Sequence, residues 1–172
     1  FTINKDPGSK FAKELCNDFN PLHDVENKRF CVPGDLLFAL TLKEYGISQK
    51  MCFSFCEMLS ADIPVSFKND VRQKLEIVDE NGNKYLGVDV GGRVNNHVGS
   101  VKSLILSYVR FSGENFPNIL VPLMAENGVM INPFRPLVIY QSMSLIMNEL
   151  IFEQVSTEIG DVFIKVRGKR AE

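Results

Sequence analysis

The residues of this chain able to move protons, attack a carbonyl or ligate a metal are few: two histidines, four cysteines and scattered acids. His97 stands in "RVNNHVGS" beside Arg93, Asn95 and Asn96, a polar loop equipped to grip a small ligand through a guanidinium, two amides and an imidazole. His23 lies in the polar stretch 20–30. A nucleophile needs a Ser or Cys held by such a histidine, yet the chain has neither a GxSxG elbow nor a family-like cysteine signature. Asp79 and Glu80 flank Asn81-Gly82 and read as solvated turn acids, not as a general acid/base pair. No catalytic residue and no cofactor follow from these types and spacings.

Cys16, Cys31, Cys52 and Cys56 contain no CxxC. Zinc sites recruit closely spaced pairs, so a site built from these thiols and His23 is the minor reading and reduced core thiols the major one. The chain also lacks an Asn-X-Ser/Thr sequon. Together these point to a cytoplasmic or nuclear compartment. Two basic–aromatic clusters suit RNA or single-stranded DNA: "YVRF", with Tyr108 and Arg110, and "FIKVRGKR", with Lys165, Arg167, Lys169 and Arg170. The second cluster also suits an anionic membrane surface, and otherwise reads as a charged edge strand with a basic tail.

The elements that must position these residues form an α+β pattern. Ser9 is expected to cap a helix through Phe19, and Asn20-Pro21 to end it. Residues 36–59 fit either two helices or a hairpin. Val65 and Phe67 alternate as in a strand. "KLEIVDENGNKYLGVDV" predicts a hairpin over 75–90 with a type I′ turn at Asn81-Gly82, ended by Gly91-Gly92. Val101, Leu104, Ile105, Tyr108 and Val109 form a helical stripe that Ser100 could cap, while their β-branched and aromatic content keeps a strand open. Asn118 to Met124 reads as a strand, Asn127-Gly128 turns it into Val129–Ile131, and "VFIKVRG" reads as a final strand. Pro136 opens a long helix, 136–155, with Ile139, Met143, Ile146 and Leu150 on its buried face. The fold class is thus α+β: one domain over 1–172, an antiparallel sheet including the 75–90 hairpin, packed against several helices.

Two short stretches resemble known motifs. "LKEYGISQKMCFSFCEML" resembles a helix-turn-helix around Gly46, but its second half is apolar in nearly every direction, where a groove-reading helix needs polar and basic side chains. Phe53, Phe55 and Met58 suit an interface or core instead. "YLGVDVGG" resembles the phosphate-loop segment of sugar kinases and actin-like ATPases at Asp89, Gly91 and Gly92. Arg93 stands where that family has threonine, and 172 residues leave no room for its two domains.

Composition narrows the function further. The net charge of −2 argues against a general nucleic-acid binder. Between Arg93 and Asn148 only Arg93, Lys102, Arg110, Glu114, Glu126 and Arg135 are charged, in a chain with thirteen Phe and six Met. No apolar run reaches the roughly 18–20 residues of a membrane span. The chain starts at Phe1, as a domain processed or excised from a longer protein would. The leading expectation is a non-enzymatic interaction or self-assembly domain, a homo-oligomer or scaffold such as a viral matrix- or capsid-like protein. The second is nucleic-acid binding through the basic C-terminal strand and tail, and the third a small enzyme around His97 and Arg93.

Overall fold

The computed structural model describes residues 1–70, 74–130, 141–167 and 170–171. Helix α1 (Lys5–Lys10) runs into a π-helical turn, Phe11–Leu15; α2 is Gly34–Tyr45. Strands β1 (Ile47–Phe55), β2 (Val65–Asp70), β3 (Lys74–Asp79) and β4 (Lys84–Asn95) follow. Helix α3 (Val98–Asn115) continues through a π turn, Phe116–Leu120, into α4 (Val121–Glu126), a helical run of 29 residues. Strand β5 (Ser142–Ile146) completes one antiparallel sheet in the order β2-β3-β4-β1-β5, and β6 (Val166–Arg167) pairs with β7 (Arg170–Ala171). The fold is α+β with an antiparallel sheet and the expected 75–90 hairpin.

Alternation along the strands decides which face is covered. Met51 and Phe53 of β1 and Leu86 and Val88 of β4 are buried, while Lys50, Cys52, Ser54 and Asp89 face outward. Helices α2 and α3 fill the inner face: Phe38 meets Phe53 edge-on at 5.2 Å and Tyr108 at 4.6 Å. Each such ring withdrawn from water contributes about 1.5–3 kcal/mol.

Residues 36–59 are neither two helices nor a hairpin but a helix followed by a strand. Gly46, at φ +79°, ends α2 with its amide on the Leu42 carbonyl, and a Cβ there would overlap the Asn96 side chain. The chain then leaves extended, so the apolar run 51–55 alternates between faces rather than wrapping a helix.

The hairpin turn is also not type I′. Gly82 alone has positive φ, +83°, after a turn in which its amide reaches the Asp79 carbonyl. Asp79 supplies the rest, its carboxylate accepting from the Asn81 and Asn83 amides, the Asn83 side chain and the Tyr85 hydroxyl. Gly91-Gly92 does not end β4 either. Gly92, at φ +80°, forms a bulge where the register with β1 shifts, and the strand runs on to Asn95.

Six further expectations are corrected. The first helix starts at Lys5, with Ser9 buried inside it. His97, not Ser100, caps α3. Residues 118–124 are helical, Pro122 being tolerated near the start of α4. The 136–155 helix is replaced by β5 and a non-helical run after it, residues 136–140 lying outside the described set. Among the described residues of "VFIKVRG" only Val166–Arg167 is strand, and of Val129–Ile131 the two described residues are not strand.

Candidate functional site

A group of titratable side chains sits where α1's trailing loop, α2 and α3 meet. Asp18 and His23 come from the loop, Asp35 from the first turn of α2 and Ser112 from α3, with Cys16 buried beside them. Close approach depends on Gly113, because any Cβ there would overlap the Cys16 carbonyl oxygen. His23 Nδ1 lies 2.7 Å from the Cys31 carbonyl, which can only accept, so that nitrogen carries a proton. Its Nε2 lies 3.4 Å from Asp18 Oδ2.

Burial pushes the Asp35 carboxyl up to about 7; the Ser112 hydroxyl, donating to it, opposes that shift, as does His23, while Asp18 adds to it. Burial likewise raises the Cys16 thiol far above its usual range, helped by the charges of Asp35 and Asp18. Burial takes the Cys31 thiol up to about 11 against the Leu59 backbone hydrogen bond. A thiol held protonated is no nucleophile. The cluster therefore has the residue types of a catalytic site and the electrostatics of a structural joint.

The expected ligand loop is elsewhere. Two open concavities of about 610 and 430 Å³ lie beside the β4 bulge and share Asn148. Arg93 and Asn95 line the second, with Glu149 and Ile151. Asn95 holds the Leu150 carbonyl at 2.6 Å, Asn96 packs against Gly46, and His97 Nδ1 accepts the Ser100 amide at 3.3 Å. Arg93 and Asn95 thus belong to the end of β4 and Asn96 and His97 to the turn into α3, and the side chains of Asn95, Asn96 and His97 secure α2, α3 and the segment after β5.

The third feature is apolar. Met130 (80%), Ile146 (77%), Ile151 (70%) and Phe163 (84%) are largely exposed, as are Ile159 and Val166. These six lie in the last third of the chain; Phe19, Val94 and Val98 are exposed outside it. A family model described as "Protein of unknown function (DUF3581)" matches residues 1–172.

The chain belongs to the DUF3581 family. No curated protein and no solved structure matches it.

In this DUF3581 member the residues singled out by sequence fall into distinct environments. Phe53 is fully buried and belongs to the core, not to an interface; Phe55 packs partly against that core, and Met58 is exposed. Tyr108 lies against Phe38, so its ring is occupied inside the fold, while Arg110 is exposed. Lys165 is exposed, Arg167 and Arg170 belong to the β6–β7 pair, and Lys169 lies outside the described residues. The thiols are free but not all in the core: Cys52 and Cys56 are exposed. Among the described residues no group of three His, Cys, Asp or Glu is placed to hold a metal ion, and no helix is long and apolar enough to cross a membrane.

Sequence reading missed Asp18 and the burial of Asp35. Asp35 has the look of an ordinary helix-start acid, and only the approach of α3 removes it from water.

Proposed function

We propose that the protein is a non-enzymatic interaction and self-assembly domain, its contact surface supplied by the C-terminal third. One observation carries the reading: large apolar side chains stand in solvent at Met130, Ile146, Ile151, Ile159 and Phe163, all in the C-terminal third of the chain. Scattered exposed apolar residues are ordinary; their concentration in one third of the chain is what calls for a covering partner. A scaffold or structural role inside the cell, where its free thiols stay reduced, fits this surface. Sedimentation velocity over a concentration series tests it. Mass rising with concentration supports the assignment, and a strict monomer at the highest concentration rejects self-assembly.

A second reading rests on Phe163, an exposed ring two residues from the exposed cation Lys165. Such a pair is the stacking hardware of single-stranded nucleic-acid binding. It requires salt-sensitive binding to RNA or single-stranded DNA that weakens in a Phe163→Ala, Lys165→Ala double variant. Unchanged binding in that variant rules these residues out.

A further inference from the structure

The two edges of the main sheet are treated differently. At β2 the N-terminal segment covers the start of the edge: Phe1's ammonium donates to the Val65 carbonyl at 2.7 Å, and the Val65 amide returns to the Phe1 carbonyl at 2.9 Å. Thr2 adds a bridge to Pro64, and an exposed Lys68 guards the strand further on. The β5 edge, "SMSLI", carries no charge, proline or glycine. Among the described residues nothing pairs with its outer side.

Which backbone groups are free follows from the register. Ser142–Ile146 oppose Ser54–Lys50. The Phe55 amide donates to the Gln141 carbonyl at 3.0 Å, and the Met147 amide to the Gln49 carbonyl at 2.8 Å. Odd-numbered residues therefore bond to β1, and the antiparallel alternation turns the amides and carbonyls of Ser142, Ser144 and Ile146 outward. This set is complementary to itself. About a two-fold axis at Ser144, Ser144 faces its own copy and Ser142 faces Ile146, so every free donor meets a free acceptor at all three residue pairs. Facing is conserved too: Met143 and Leu145 stay on the core side in both copies, and the exposed Ile146 gains a cross-strand neighbour.

We infer that a second copy of this chain docks on β5, antiparallel and centred on Ser144, joining two five-stranded sheets into one. The inference rests on the self-assembly reading and names its surface. Occupancy by the same strand follows from the self-matched hydrogen bonds and from the absence of any charge that would repel an identical edge.

The test uses the full chain and three variants. Ser144→Pro removes an outward amide that β1 does not use, a position where proline is tolerated on an edge. Ser144→Lys keeps the backbone and sets two cations face to face. Ser144→Cys is made with Cys52→Ser, because Ser144 Oγ lies 3.5 Å from Cys52 Sγ and an intramolecular disulfide would compete. Paired Cα atoms about 5.5 Å apart admit a disulfide between copies. The expected result is a dimeric parent, monomeric Ser144→Pro and Ser144→Lys, and a covalent dimer on mild oxidation of Ser144→Cys. Should Ser144→Pro fail to fold, Ser144→Lys and the cross-link decide. A parent that associates while Ser144→Lys associates equally and Ser144→Cys does not cross-link overturns the β5 docking and leaves the assembly reading standing. A monomeric parent at every concentration overturns both.

Discussion

Ser100 and Phe152 exchange two hydrogen bonds across 52 residues: the serine hydroxyl donates to the Phe152 carbonyl at 2.9 Å and accepts the Phe152 amide at 3.0 Å. Ser107 repeats the device two helical turns on, donating to the Val155 carbonyl at 3.0 Å, and Asn95 holds Leu150. The segment after β5 thus obtains from side chains of α3 and of the end of β4 the partners that a sheet would otherwise supply.

Ser100→Ala leaves the Phe152 amide and carbonyl without that partner, in a half-buried setting. A loss of about 1–3 kcal/mol is expected. Hydrogen exchange should report it locally, with the Phe152 and Val155 amides losing protection before the β1–β4 core. Uniform loss across the sheet would show instead that Ser100 matters to the whole fold.

Asp35→Asn should stabilise the protein most at pH 8 and least near pH 4. The folded carboxyl ionises at about 7 against an ordinary 3.8, so the folded state holds its proton more tightly and stability falls as pH rises between those values. Asparagine removes that dependence. The gap between 3.8 and about 7 corresponds to an upper bound of about 4 kcal/mol. Losing an anion at the start of α2 takes back about 0.3–1 kcal/mol. Asp18, His23 and Cys16 face the group and are present in both proteins, so the difference in melting temperature between variant and parent isolates Asp35. A difference independent of pH would contradict the assignment.

Gly113→Ala pits two effects of known size against each other. Alanine favours a helix over glycine by about 0.8–1 kcal/mol. The added methyl collides with the Cys16 carbonyl, which is backbone and cannot swing aside. Overpacking of this kind costs about 1–3 kcal/mol, so net destabilisation is expected in chemical denaturation. A stabilised variant would mean that α3 lies further from the Cys16 loop.

Asp79→Ala should destabilise the β3–β4 hairpin at neutral pH. Burial works to raise this carboxyl, and the hydrogen bonds from Asn83, Tyr85 and Asn81 outweigh it, leaving it below the usual range. For a carboxyl lowered in the folded state, the contribution is present above the ordinary range and disappears as pH falls through the folded value. The gap between parent and variant should therefore narrow in acid, as read from melting curves.

Local chemistry determined part of this molecule outright. Asn81-Gly82 between alternating apolar runs specified the 75–90 hairpin, and the 101–109 stripe favoured the helix that α3 is, though its β-branched residues left a strand open. These signals act over a few residues and need no distant partner. The charge-poor stretch 93–148 was also legible, but of the exposed apolar residues Ile151, Ile159 and Phe163 lie beyond it, among charged neighbours.

Tertiary contacts decided the rest. Met143, Ile146 and Leu150 satisfy a helical spacing, yet Ser142, Ser144 and Ile146 against Met143, Leu145 and Met147 satisfy a strand as well. The unpaired flank of β1 settled the matter, because its amides and carbonyls need partners that a helix would not offer. Residues 118–124 went the other way, carried into helix by continuity with α3. The acid cluster was equally invisible, since Asp18, His23, Asp35 and Ser112 meet only when three separate elements pack. A sequence encodes which side chains avoid water, but which backbone groups remain unpaired, and so where an edge lies open at Ser144, exists only once the sheet has formed.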